Sequence, residues 1–552
     1  MIKFLTVIFL SCCLLQATAQ SNDNTPVLSQ SGIRRPRLVV GIVVDQMRWD
    51  YLYRYYSRYQ NTGGFKRLLV NGFSCENTII PYVPTITACG HTSIYTGSVP
   101  AIHGITGNDW YDYELNKAMY CTDDELAKTV GGTTAAGQMS PHNLLVSTIG
   151  DELHLATNFK SKVIGIALKD RAAILPGGHT ANAAYWYDET TGNWVTSSYY
   201  LAELPKWVQD LNAKKMPDQY FAQGWNTLYP LNTYTQSTPD VENYEYRPFG
   251  KDVKGFPYDL KQFAGKNYGL LHVLPYGNSF TFEMAKAAVN GEQMGTDSVT
   301  DLLTISLSTP DYIGHTFGPN SVEAEDDFLR LDKDLGAFLD FLDQKVGKDG
   351  YLVFLTADHG GAHVPVFLNQ HGIPAGNAID RGFSEEIGKL LKEKYRSDKL
   401  LISVANYQVH LNRLEIKRLG LNKDSVSQTV VNYLSEQMSV YRAFALDKTE
   451  ATTLNATIKR DVTNGYYPQR SGDIQIIYKP QWIENFENGG TTHGAWNPYD
   501  AHIPLLWYGW NVRPGHLSRE VYMTDIAPTV ASLLHIQMPS GSVGHVIDEV
   551  SR

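Results

Sequence analysis

The chain has 552 residues, 57 of them acidic and 47 basic, for a formal net charge of −10; 43% are hydrophobic and 19% charged. That apolar share excludes a disordered or low-complexity chain, and the length suits one large core with insertions or roughly two to four domains. With no basic excess to neutralise phosphates, a nucleic-acid-binding face is excluded, and at first sight any anionic substrate is disfavoured.

Residues 1–19, MIKFLTVIFLSCCLLQATA, have the layout of a secretory signal. Lys3 gives a short positive start. The apolar run from Phe4 to Leu15 is too short to span a bilayer, and Ala17-Thr18-Ala19 suits cleavage near Gln20. In a lipoprotein reading, Cys12 or Cys13 would be acylated after a very short apolar stretch. Removing this segment takes away Lys3, moving the charge from −10 to −11, together with Cys12 and Cys13. Cys75, Cys89 and Cys121 remain, which is not a disulfide scaffold, although one bridge stays open. Residues 20–36 read as a flexible lead-in, and no later segment holds the ~18 apolar residues of a membrane helix.

RLVVGIVVDQ (37–46) is a continuous apolar run, the mark of a strand buried on both faces of a parallel sheet. KVIGIALKDR (162–171), DLLTISLSTPD (301–311), YLVFLTADHG (351–360) and HIPLLWYGW (502–510) repeat it. A helix is expected after Asn320, with Asn320 as cap and Glu323 as its capping-box partner. Phe328, Leu331, Leu335, Phe338, Leu339 and Leu342 form its apolar stripe. Strands alternating with helices predict an α/β fold with a mainly parallel central sheet flanked by helices. The Tyr-, Trp-, Asn- and Pro-rich stretch at about 175–265 and the charged, helical stretch at about 366–470 read as insertions covering the active edge. Residues 37–552 are otherwise expected to form one domain.

Ligands of open α/β sheets bind beyond the carboxyl ends of strands. Four of the apolar runs end in reactive side chains: Asp45; Lys169 and Arg171; Asp311 with His315 four residues on; and Asp358-His359. One such Asp is usually a cap or a turn residue. Four strand ends together suggest convergence on a metal site, since Asp and His are oxygen and nitrogen ligands of zinc and a dinuclear site needs about six to eight of them. Gly360 and Gly361 would permit the irregular turn needed for both Asp358 and His359 to reach a metal, and His493 in GTTHGAW is a further candidate. The zinc-peptidase HExxH and the phosphate-binding GxxxxGK[ST] are both absent. PTITACGHTSIYTG (84–97) looks like a loop entering a helix, where free N–H groups and the positive dipole end favour phosphate. A Thr there is either an ordinary cap or, beside a divalent cation, a nucleophile.

Taken together these motifs resemble the alkaline phosphatase superfamily and, within it, the PafA-type phosphate-irrepressible alkaline phosphatases. The likeness runs from RLVVGIVVDQMRWDYL through GHTSIYTGSVPAIHGITGNDWYD, LKDRAAILPGGH, STPDYIGHTFGPNS, LTADHGGAH and GTTHGAWNPYDAHIPLL to TDIAPTVASLL. The resemblance implies a secreted phosphomonoesterase with two zinc ions per chain, working through a phosphothreonine, and a location in the bacterial periplasm, with the outer surface still open. It implies Thr87 as nucleophile; Asp45, Asp358 and His359 on one zinc, which Thr87 also contacts; and Asp311, His315 and His493 on the other. Asn108, Lys169 and Arg171 are then the donors to the phosphoryl oxygens. Small phosphate monoesters are the expected partners, and a monomer is expected.

Relatives in that superfamily are separable by residue. Sulfatases need C/S-x-P-x-R, but spacing to Thr96-Gly97 puts Thr87 at the nucleophile position, and Cys89 is followed by Gly90-His91. Cofactor-independent phosphoglycerate mutases use Ser and are cytosolic. Phosphodiesterases and nucleotide pyrophosphatases share Thr and the ligands, but a monoester dianion needs the extra cations that Lys169 and Arg171 supply. The remaining alternative is a secreted binding protein that keeps the fold without the activity, and the complete ligand set disfavours it. With the two divalent cations that the resemblance implies, Lys169 and Arg171 would outweigh three carboxylates, so an acidic protein can hold a cationic pocket.

Overall fold

The computed structural model of the chain describes residues 34–378, 380–484 and 489–551. The ten strands of one sheet are β1 Leu38–Val44, β2 Phe73–Cys75, β3 Thr129–Val130, β4 Val163–Ala167, β5 Ala183–Asp188, β6 Asn193–Ser197, β7 Asp301–Leu307, β8 Tyr351–Thr356, β9 Leu505–Gly509 and β10 Gly515–Leu517, and the five apolar runs supply β1, β4, β7, β8 and β9 of them. Their order is β10-β2-β9-β8-β1-β7-β4-β5-β6-β3. The central strands β8, β1, β7, β4 and β5 are mutually parallel. β1, β4, β7 and β8 are buried along their whole length, as unbroken apolar runs require.

The sheet edges depart from the parallel expectation. β9 runs antiparallel to β8, β2 antiparallel to β9, and β6 antiparallel to β5. The fold is therefore a large mixed sheet with a parallel centre, flanked by helices. The run expected at 502–510 is also split. His502–Ile503 pairs with Thr78–Ile79 in a separate small sheet, and Pro504, which has no N–H for a ladder, separates it from β9.

Four helices frame the site: α1 Thr87–Thr96, α2 Asp170–Gly177, α3 Thr309–Phe317 and α4 Val322–Lys345. The stripe expected on α4 is buried in the main core, including Phe328, Leu331, Leu335, Phe338, Leu339 and Leu342. Its cap lies one residue further on than the sequence suggested. The Ser321 hydroxyl accepts from the N–H of Ala324, while Asn320 pairs with His363 Nδ1 at 2.6 Å. Glu323 is not a capping partner; buried, it accepts the Tyr258 hydroxyl.

The stretch at about 175–265 is in part sheet, because it supplies β5 and β6 before its helices Lys206–Ala213 and Met216–Gln223. The stretch at about 366–470 contributes three strands and several helices to a four-stranded antiparallel sheet completed by Ile474–Tyr478. This unit has its own core of Ile387, Leu391, Val426, Val430, Ile474 and Ile476. It reaches the central edge through Tyr407, whose hydroxyl donates to the His493 carbonyl at 2.8 Å, and through Asn406, whose amide donates to the Asp109 carbonyl at 2.7 Å. Residues Arg35–Arg552 form one compact unit. Cys75, Cys89 and Cys121 are all buried and unbridged. The signal expected at 1–19 and all but the end of the lead-in 20–36 lie outside the described residues. No described helix is long and apolar enough to cross a membrane.

Candidate active site

Register brings the reactive strand ends together. Val44 lies opposite Leu307, Val43 opposite Thr356, and Ser306 opposite Ala167. The chain therefore leaves β1, β4, β7 and β8 along one edge, carrying Asp45, Lys169, Asp311 and Asp358 to a common place. Two glycines let the backbones approach. A Cβ on Gly90 of α1 would run into the Asp358 backbone, and one on Gly360 into the Tyr499 carbonyl.

The six candidate ligands fall into two groups, Asp45 with Asp358 and His359, and Asp311 with His315 and His493; within each, the ligating atoms lie within 4.8 Å of one another. All three Asp side chains are buried. The histidines are oriented by carbonyl oxygens: His315 Nδ1 on Thr491 at 2.7 Å, His359 Nδ1 on Gly360 at 2.9 Å, and His493 Nδ1 on Thr85 at 2.7 Å. A carbonyl only accepts, so each Nδ1 carries the proton and each Nε2 presents a lone pair. Those lone pairs face carboxylate oxygens: His315 Nε2 is 3.1 Å from Asp311, His359 Nε2 is 3.2 Å from Asp358 and 3.5 Å from Asp45, and His493 Nε2 is 3.6 Å from Asp311. Acceptor against acceptor is repulsive unless a cation lies between them. The buried oxygens Asp45 Oδ1 and Asp358 Oδ2 have no hydrogen-bond partner, and the rings of His359 and His493 stack at 3.5 Å. The donor set thus fits divalent cations at both groups, of the kind N- and O-rich sites bind.

A positive charge already stands at their junction. Lys169 Nζ donates to Asp45 at 2.7 Å and to Asp311 at 2.6 Å, joining the two groups. Its own pKa is pushed up: burial works against the charge, and the two carboxylates outweigh it. Burial, with the neighbouring Asp358, raises the Asp45 carboxyl well above its usual range. Burial alone would raise Asp311 too, but the positive charge His315 carries when doubly protonated, together with Lys169, holds it well below that range.

Thr87 is the first residue of α1, buried, with Oγ1 3.4 Å from His359 Nε2. Asn108, half-buried, accepts the Ala88 N–H on Oδ1 at 3.1 Å, which leaves its NH₂ to donate elsewhere. Arg171 lies at the start of α2 with Nη1 on the Tyr120 hydroxyl at 3.0 Å. The structure thus gathers the six candidate ligands with Thr87 and Lys169, and attaches Asn108 to the same helix start as Thr87.

Three residues with roles here were not singled out in the sequence. Gln46, at positive φ (62°), donates its backbone N–H to Asp358 at 3.2 Å and its side-chain amide to Asp311 at 2.6 Å, tying one group to the other. Its only signal was adjacency to Asp45. His91, in the GHT of the helix motif, sits with Nδ1 2.9 Å from the Thr87 carbonyl and 3.3 Å from Asp358, and with Nε2 2.8 Å from the Ser306 hydroxyl. With both nitrogens occupied, it braces the site and is not a ligand. Asp500 holds the turn after His493, accepting from Gly494 N at 3.1 Å and Ala495 N at 2.8 Å, and nothing in its sequence neighbourhood marks it.

The type I phosphodiesterase / nucleotide pyrophosphatase family model matches residues 39–500, and the chain belongs to that family. Within it, the chain belongs with the PafA and PhoV alkaline phosphatases. It is 50% identical to alkaline phosphatase PhoV of Synechococcus elongatus, over 99% of this chain and 98% of that protein. It is 51% identical to alkaline phosphatase PafA of Elizabethkingia meningoseptica, over 94% of this chain and 95% of that protein. The crystal structure of wild-type alkaline phosphatase PafA, 51% identical, matches with a TM-score of 0.92 over 94% of this chain and all of that one.

Proposed function

We infer that the chain is an alkaline phosphatase that hydrolyses small phosphate monoesters, releases inorganic phosphate and depends on two zinc ions. One observation carries the reading: a buried threonine hydroxyl stands beside two groups of ligands whose histidine lone pairs all face carboxylates. Half-identity to named alkaline phosphatases along nearly the whole chain supports it. Asp45, Asp358 and His359 would hold one zinc, in contact with Thr87, and Asp311, His315 and His493 the other. Bound there, zinc supplies Lewis acidity, lowering the pKa of a hydroxyl and offsetting the charge of attacking and leaving oxygens.

The chain's own residues supply the rest. Thr87 Oγ1, its proton passing to water, attacks phosphorus in line as the bond from phosphorus to the ester oxygen breaks; that oxygen leaves and takes a proton from water, and a phosphothreonine remains. Water then attacks the phosphothreonine, frees phosphate and restores the hydroxyl. Asn108 donates to a phosphoryl oxygen, with Oδ1 committed to Ala88 N. Lys169 and Arg171 counter the charge of a terminal phosphate, and the start of α1 places a positive helix end at the nucleophile.

Those two cations favour a monoester over the diester that the family model's description names. A diester carries one charge less and has two non-bridging oxygens where a monoester has three, so fewer remain for those two cations. We also propose export through the 1–19 signal, with the periplasm as destination, and a single chain as the working unit. Monoester, diester and sulfate-ester kinetics, with metal analysis on the same sample, test the reading. It predicts two zinc ions per chain and monoester turnover far above the other two. A zinc-loaded protein that releases no phosphate from any monoester would overturn it.

A further inference from the structure

The hairpin of Asp109–Asp112 and Lys117–Tyr120 begins at Asn108 and ends against Arg171. At its closing end the N–H of Cys121 donates to the Asn108 carbonyl at 2.8 Å. One residue earlier, the Tyr120 hydroxyl accepts from Arg171 Nη1 at 3.0 Å and donates to Asp170 Oδ1 at 2.6 Å. Asp170 is anchored in turn, accepting the Arg171 N–H at 2.7 Å and the Thr122 hydroxyl at 3.3 Å. Two of the three donors assigned to the phosphoryl group, Asn108 and Arg171, are thus held by neighbouring residues of one strand end.

What is left free on Arg171 is informative. A guanidinium offers a two-donor edge made of Nε and Nη2, matched to two oxygens of a phosphate. In this structure the protein occupies the other end, Nη1. Nε is buried without a partner, and among the described residues Nη2 makes no hydrogen bond to protein. An unpaired buried donor is costly, so its presence marks a place kept for an acceptor from outside. Burial and Asp170 push the Tyr120 phenol well up, so it stays protonated and keeps donating to Asp170.

We propose that Tyr120 is a positioning residue for monoester specificity: by taking Arg171 Nη1 while anchored on Asp170, it turns the Nε–Nη2 edge toward the terminal phosphoryl oxygens. The proposal rests on the monoesterase reading above. It separates two functions in the LKDR motif, with Arg171 meeting the substrate and Asp170 fixing the group that orients it.

The test is a double-mutant cycle on the zinc-loaded protein with one aryl phosphate monoester and one aryl phosphate diester. Tyr120→Phe is expected to lower monoester kcat/KM about tenfold, the effect of losing one hydrogen bond to a charged group, and diester kcat/KM by less than about twofold. In an Arg171→Ala background the same change is expected to add nothing. Asp170→Asn, which weakens the anchor but keeps the phenol, should give a smaller loss with the same selectivity. Tyr120→Phe indistinguishable from wild type, equal losses on both esters, or losses that add to those of Arg171→Ala would each overturn the proposal. Arg171→Ala with an unchanged monoester-to-diester ratio would instead overturn the reading of the site itself.

Discussion

Replacing Asp500 by Ala isolates one half of the proposed metal-binding machinery. Asp500 is 1% exposed, and its Oδ2 is the acceptor for the N–H groups of Gly494 and Ala495, the two residues after His493. Its backbone carbonyl accepts the Gly360 N–H, next to His359, at 2.7 Å. The Ala variant keeps that backbone contact and loses only the side-chain acceptor, so His493 loosens while His359 stays. Two N–H donors left unpaired, one buried and one part-buried, cost about 1–3 kcal/mol each, or about 2–6 kcal/mol together. Losing the support of a ligand costs about 10–100-fold in metal affinity. Denaturant unfolding of the metal-loaded protein reads the first effect, and zinc competition against a chelator of known affinity reads the second. The expected result is one zinc weakened, that of Asp311, His315 and His493, with the other near wild type. Asp500→Asn, which keeps an acceptor oxygen, should lose less on both readouts. Two zincs bound as in wild type, or both weakened equally, would refute the assignment of His493 to one group only.

Thr87→Ala is expected to lose nearly all turnover while retaining two zinc ions by metal analysis, and loss of both metals would make Thr87 structural. Ser321→Ala should cost about 1 kcal/mol of stability in denaturant unfolding, as lost helix caps do, with kcat unchanged; no loss would mean that the cap of α4 is misplaced. Glu245 and Glu323 are both pushed up, by burial first and by nearby carboxylates, to about 9 and about 8. In the folded chain they therefore hold protons that the unfolded chain releases from pH ~4.5 upward, so stability falls as pH rises from there toward 9. Glu245→Gln should flatten that slope in unfolding free energy measured against pH, and an unchanged slope would contradict the shift.

Most of the candidate ligands were legible because they end, or closely follow, unbroken apolar runs. Four of those runs are buried parallel strands, and parallel strands in register empty onto one edge. His493 was legible only through its small, polar neighbours. Gln46 and Tyr120 were not, because each acts through hydrogen bonds to residues distant in sequence, and Asp500 was not, because no apolar run or metal-ligand spacing singles it out. The sheet edges were hidden for a related reason. Ala183–Asp188 and Asn193–Ser197 are rich in Tyr and Trp and read as an insertion, yet they pack as strands. The cap of α4 fell to Ser321 because His363, 43 residues away, takes the side chain of Asn320. The negative net charge misled only while the metals and Lys169 were left out of the local sum.

The most direct test of the account is chemical trapping of the intermediate. Zinc-loaded protein is mixed with excess aryl phosphate monoester, quenched in acid within one turnover, and its peptides mapped by mass. The account predicts one phosphoryl group on Thr87, absent from Thr87→Ala and from protein mixed with the corresponding sulfate ester. Steady turnover with no phosphorylated residue, or with the phosphoryl group on any other side chain, would contradict it.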